Sequence, residues 1–170
     1  MKKLVLTALL LAAVAWAGPN DPSKLDGSAL GAQKAVYQFN FENPQDLEQG
    51  LGYLSNHLKA LKQFGDVRQS QLVVVAHGNE LHMLSRLNHA AYPDIYDELK
   101  ALADQGVQFR VCRNAATFRG YKAEDFYDVV TVVPAAMTEL AKWQAKGYAY
   151  ISGNVIRRTK HTAHVGAVRK

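Results

Sequence analysis

The sequence predicts a single three-layer α/β domain built on a five-stranded, mainly parallel sheet. Five short runs of β-favouring apolar residues alternate with segments whose leucines recur at helical spacing, and parallel strands need such crossovers between them. One run, Leu72-Val73-Val74-Val75-Ala76, is apolar throughout, as a strand covered on both faces must be. The 170 residues hold one cysteine, so no internal disulfide is available and the fold must rest on an apolar core.

The chain opens on an address. Lys2 and Lys3 precede an apolar run from Leu4 to Val14, and Ala15-Trp16-Ala17 has the small-x-small form of a cleavage site. The run is shorter than the roughly 20 residues a bilayer span takes. We therefore expect a signal peptide over 1–17 cut after Ala17, a periplasmic or secreted mature protein, and no membrane association after cleavage. Residues 18–33, rich in Gly, Pro, Asp and Ser, read as a flexible leader. The domain proper is expected over 34–151, and 152–170 form a basic tail.

Residues 35–41 alternate and make the first strand. Asn43 and Pro44 then read as N-cap and first position of a helix carrying Leu47, Leu51, Leu54, Leu58, Leu61 and Phe64, with Gly65 placed to end it. The second strand spans 71–76 and stops at His77-Gly78-Asn79. A helix over about 80–88 carries Leu81, Leu84 and Leu87, and another after Pro93 carries Ile95, Leu99 and Leu102. Val107, Phe109 and Val111 alternate in a third strand that ends at Cys112, before short helical turns at 115–118 and 123–126. A fourth strand over 129–133, a helix opened by Pro134 and a last strand over 148–151 complete the domain.

Removal of Lys2 and Lys3 with the signal segment lowers the formal charge from +5 to +3, 18 basic against 15 acidic side chains. Arg157, Arg158, Lys160, Arg169 and Lys170 supply most of that excess. The body is near neutral, which argues against nucleic acid as partner.

Ligands of open α/β sheets sit at the carboxyl ends of the strands, and two reactive side chains fall there, His77 and Cys112. Thiolate is the reactive form of cysteine, and a helix start or nearby cations favour it; a helical turn begins near Asn114, with Arg110, Arg113 and Arg119 close in sequence. The alternative is a small buried side chain, since free cysteine is among the most buried types. His77 serves as acid/base or as donor to a bound anion, or packs under the following helix. If the first strand runs between the second and third, these two residues stand about 10 Å apart. His82 and His89 are two helical turns apart and cannot share an ion, and His161 and His164 have no cysteine beside them, so no metal is assigned. The chain has no G-x-G-x-x-G, P-loop or nucleophile elbow.

Taken together, a strand ending VVVAHG, a strand ending VQFRVCRNA after the Asp104-Gln105-Gly106 turn, and the stretch VVTVVPAAMTELAKWQAKGYAYI resemble the DsrE/DsrF-like sulfur-relay family, in particular its exported members, over residues 34–151. The resemblance implies a flavodoxin-like fold, a trimeric or hexameric homo-oligomer, and a cysteine at Cys112 that accepts and passes sulfane sulfur as a persulfide. His77, Gly78 and Asn114 match residues that line the family's site, and Arg113 stands where many relatives have a small residue. Two functions are therefore expected in competition. One is a sulfur carrier or sulfurtransferase using Cys112, with His77, Gly78, Arg113 and Asn114 binding substrate and a sulfur donor or acceptor protein as partner. The other is an oligomeric protein that binds a small anion or partner with Cys112 inert. Neither calls for a cofactor.

Overall fold

The computed structural model describes residues 18–156, so the expected signal peptide and the basic side chains of the tail lie outside the described residues. Strands β1 (Lys34–Phe39), β2 (Gln71–Ala76), β3 (Gln108–Cys112), β4 (Val130–Val133) and β5 (Ala149–Ser152) form one sheet in the order β4-β3-β2-β1-β5. Every pairing is parallel. The helices are α1 (Asp46–Phe64), α2 (Leu81–Leu84), α3 (Ile95–Ala103), α4 (Arg113–Phe118) and α5 (Ala136–Ala145).

The layers follow from the handedness of the crossovers. From β1 to β4 the chain steps across the sheet in one direction, and from β4 it returns past all of these strands to pair β5 with β1. Right-handed connections therefore put the first helices on one face and the returning helix on the other. Accordingly, Leu47, Leu51, Leu54 and Leu58 of α1 and Ile95, Leu99 and Leu102 of α3 pack on Tyr37, Phe39, Leu72, Val74, Phe109 and Val111. Ala136, Leu140 and Trp143 of α5 cover Val36, Val73, Val75 and Cys112 on the opposite face.

The strand order decides a point that the sequence left conditional. β1 does not run between β2 and β3; these two are direct neighbours, Ala76 opposite Val111, and β1 lies on the far side of β2. The carboxyl ends of β2 and β3 are thus one strand spacing apart, about 5 Å rather than about 10 Å. Local periodicity holds no information on which strands become neighbours, which is why the sequence left this open.

Three element boundaries also shift for identifiable reasons. Asp46 N–H and Leu47 N–H donate to the carbonyls of Asn43 and Pro44 at 3.2 and 3.1 Å, so a separate turn precedes α1 and its N-cap is Gln45 rather than Asn43. The helix expected over 80–88 is broken at Ser85, which is extended. The Ser85 hydroxyl donates to the Asp125 carbonyl at 2.9 Å and accepts from Leu87 N–H at 3.3 Å, opening a 3-10 turn at Arg86–Asn88. α5 starts at Ala136, two residues after Pro134.

Both ends of the domain are fastened beside α1. Leu30 N–H donates to Phe64 O at 2.7 Å, and Asp66 N–H to Gly31 O at 3.0 Å. After β5, Gln49 donates to the Ile156 carbonyl at 3.3 Å and the Tyr53 hydroxyl to that of Asn154 at 3.2 Å. Among the described residues no helix is long and apolar enough to cross a membrane.

Candidate site at the carboxyl ends of β2 and β3

Side chains alternate along a strand, so Gln38 of β1, His77 just past β2 and Cys112 of β3 fall on the face that α5 covers, in line with Val36, Val75 and Arg110. Cys112 is the N-cap of α4. Its Sγ accepts the Ala115 N–H at 3.4 Å, and only 6% of the residue is exposed.

His77 is half-buried and hydrogen-bonded through Nε2 to the amide nitrogen of Gln38 at 2.7 Å. An amide nitrogen can only donate, so Nε2 is the acceptor and the ring proton of the neutral imidazole sits on Nδ1. The Gln38 carbonyl oxygen in turn accepts from the Tyr150 hydroxyl, which extends the polar contact to β5 at the place where the strand order reverses. Burial, and secondly the positive charge of Arg119, hold His77 below the usual histidine range.

Arg119 is placed by both sides of the crevice. Its Nη1 donates to Ala115 O at 3.0 Å, and its Nε and Nη2 donate to Asn79 Oδ1 at 3.1 and 2.9 Å. Asn79 Nδ2 donates to Glu42 O at 2.6 Å. The last turn of α4 is thereby tied to the loops that leave β2 and β1.

Beneath these loops lies Glu80, with no exposed surface. Oε1 accepts Gly78 N–H at 2.8 Å and Oε2 accepts Phe41 N–H at 2.9 Å. Burial pushes this carboxyl above the usual range, against the opposite pull of the amides of Phe41, Gly78, Glu80 and His77. Gly78 has no alternative here, since a Cβ would collide with Glu80 Oε2 and the Phe41 nitrogen.

Of the residues proposed from sequence, the structure brings His77, Gly78 and Cys112 to adjacent strand ends. Asn114 and Arg113 are exposed on α4. Arg113 lines a hollow of about 330 Å³ with Thr117, Tyr121, Lys122 and Val132, and Val132 packs with the α1–α3 core, away from Cys112. Arg110, on the same face of β3 as the thiol, is held 3.4 Å from Glu139 and lies over the Trp143 ring, 5.2 Å from its centroid. Gln38, Asn79 and Glu80 escaped the sequence reading as site residues, and Arg119 entered it only as a cation near Cys112 in sequence. Their partners lie about 40 positions away; the one local signal was a carboxylate directly after a buried strand and a glycine. Among the described residues, no three His, Cys, Asp or Glu side chains converge as a metal ion would require.

The model of the DsrE/DsrF-like family matches residues 54–152, which takes in β2 to β5 and every residue of the site except those on β1 and its exit loop. Among solved structures, a protein of unknown function from Methanobacterium thermoautotrophicum, MTH1491, is similar with a TM-score of 0.57 at 21% identity, over 71% of this chain and 98% of that one. That likeness shows the fold. No curated protein matches the chain.

Proposed function

The chain belongs to the DsrE/DsrF-like family, and from that premise we propose that it is an exported sulfur carrier that holds sulfane sulfur as a persulfide on Cys112. Family membership supports a sulfur-relay role in general terms. The observation that carries the finer reading is the place of the thiol, which caps α4 at the carboxyl end of β3, one strand spacing from the neutral His77.

In the proposed reaction the Cys112 thiolate attacks the outer sulfur of a persulfide or of thiosulfate. A bond from Sγ to that sulfur forms as the donor's sulfur–sulfur bond breaks, and a thiolate or sulfite leaves. An acceptor thiolate then attacks the same outer sulfur and Cys112 departs as thiolate. Electrons balance over the two steps, so no external oxidant or cofactor enters. The Ala115 amide faces Sγ; in this reading the Nδ1–H of His77, one strand away, is the donor offered to the bound sulfur, and Arg119 adds positive charge on the His77 side of the crevice. Because Cys112 is 6% exposed under α5 and Ala115, the transfer needs that cover to open over the thiol.

The same burial favours the second reading, an oligomeric small-anion or partner-binding protein with an inert thiol. In either reading we propose a homo-oligomer, which the exposure of Phe118 on α4 (88%) and Met137 on α5 (57%) supports, with the trimeric or hexameric count taken from the family resemblance. The test is intact mass after incubation of mature protein with thiosulfate, polysulfide or glutathione persulfide. One added sulfur on wild type and none on Cys112→Ser is expected; an equal adduct on both, or none on wild type, leaves the inert-thiol reading.

A further inference from the structure

Among the described residues two carboxylates are buried, and they differ in kind. Glu139 meets Arg110, Lys142 and the Trp143 indole N–H. Glu80 is more deeply buried and its partners are main-chain amides. A carboxylate taken out of water without a cation costs stability, and a glutamine of nearly the same shape would avoid burying a charge. Both oxygens nevertheless accept hydrogen bonds, one from the loop that leaves β1 and one from the loop that leaves β2, 39 and 2 positions away. A glutamine presents one oxygen and one donor nitrogen, so it can satisfy only one of the two amides. The carboxylate is thus the group that fits this place, and what it holds together is the mouth of the site. Costly polar groups retained in an otherwise consistent fold are expected at functional positions.

We propose that Glu80 is the positioning residue of this site: by joining the amides of Phe41 and Gly78 it holds the His77-Gly78-Asn79 turn in the one form that sets the His77 ring on Gln38 and Asn79 on Arg119. The proposal rests on the functional reading above for its consequence in sulfur transfer, and on geometry alone for its effect on His77. Gln38 bonds the His77 ring, Arg119 adds charge near it, and Cys112 lies across from it on β3; the Gln38 bond and the place of Arg119 depend on the turn. Release of the turn exposes the ring and loosens Asn79, which holds Arg119 in place. Both causes that hold His77 below its ordinary value then weaken together.

The experiment is a histidine ring titration by NMR on the full mature chain, wild type against Glu80→Gln. His77 is expected to titrate below the ordinary value of about 6.5 in wild type and to move up toward it in the variant. His57, itself depressed by burial but bonded to Tyr37 and Gln33 instead, is the internal control and stays in place. Sulfur transfer from Cys112 should fall about tenfold, as expected when a reacting group is displaced by a fraction of an ångström. An unmoved His77 overturns the proposal, as does a shift of His57 by the same amount, which would mark general loosening. If Glu80→Gln does not fold, amide exchange on wild type decides: protection of Phe41 and Gly78 comparable to the β1 and β2 strands supports the clamp, and exchange as fast as at Asn43 and Gln45 removes it. A shifted His77 in a protein that forms no sulfur adduct would sink the carrier reading and leave Glu80's role standing.

Discussion

His57 is engaged at both ring nitrogens: Nε2 donates to Gln33 Oε1 at 2.7 Å, and Nδ1 accepts from the Tyr37 hydroxyl at 2.7 Å. Burial holds its pKa below the ordinary value and pushes that of Tyr37 up to about 12. A histidine depressed in the folded state binds fewer protons than in the unfolded chain, so stability rises with pH through the window below about 6.5 and is lost as pH falls through it. His77 acts in the same direction, whereas Glu80, raised by burial, acts in the opposite one. A His57→Gln variant removes one titration, so its melting temperature should fall less than that of wild type between pH 7.5 and 5.5. An equally steep fall in both would refute the assignment. At this scale the sequence marked His77 and Cys112 through their position at strand ends. It could not mark Glu80, whose meaning comes from an amide 39 residues earlier.

Helix α1 presents Leu47, Leu51, Leu54, Leu58 and Leu61 as one buried stripe, the spacing of an amphipathic helix against a sheet. Leu54 has no exposed surface. Its truncation to alanine should cost about 2–5 kcal/mol in denaturant unfolding, while Met137→Ala on the exposed side of α5 should stay within about 0.5 kcal/mol. A loss under about 1 kcal/mol at Leu54 would mean that α1 is not the seat of the core. These elements were readable because their periodicity is local: β2 spans the expected 71–76 to the residue. The start of α1 and the break at Ser85 after α2 were not, because Pro44 and Ser85 act through turn hydrogen bonds that compete with the helical pattern. Gly78 belongs here too, since its need for close approach follows from β1 and β2 exiting side by side.

The whole molecule depends on pairings between distant parts of the chain, and this is where the sequence was least informative. Alternating strands and helices imply a parallel sheet, but the adjacency of β2 and β3, which places His77 beside Cys112, emerges only from the assembled order. The exposed Phe118 and Met137 carry the proposed homo-oligomer. Light scattering on mature protein should give a trimeric or hexameric mass, and replacing both residues by serine should lower it; a monomer at micromolar concentration would remove the assembly from the functional reading. The pairing of β5 with β1 has another effect. The two strands are parallel, with Ala35 opposite Ala149 and Gln38 opposite Ser152, so the chain enters β1 at one end of the sheet and leaves β5 at the other. A pull on the two termini therefore drags these neighbours past one another lengthwise. Tension is shared by all the ladder's hydrogen bonds at once instead of opening them singly, and the first and last strands act together as a mechanical clasp.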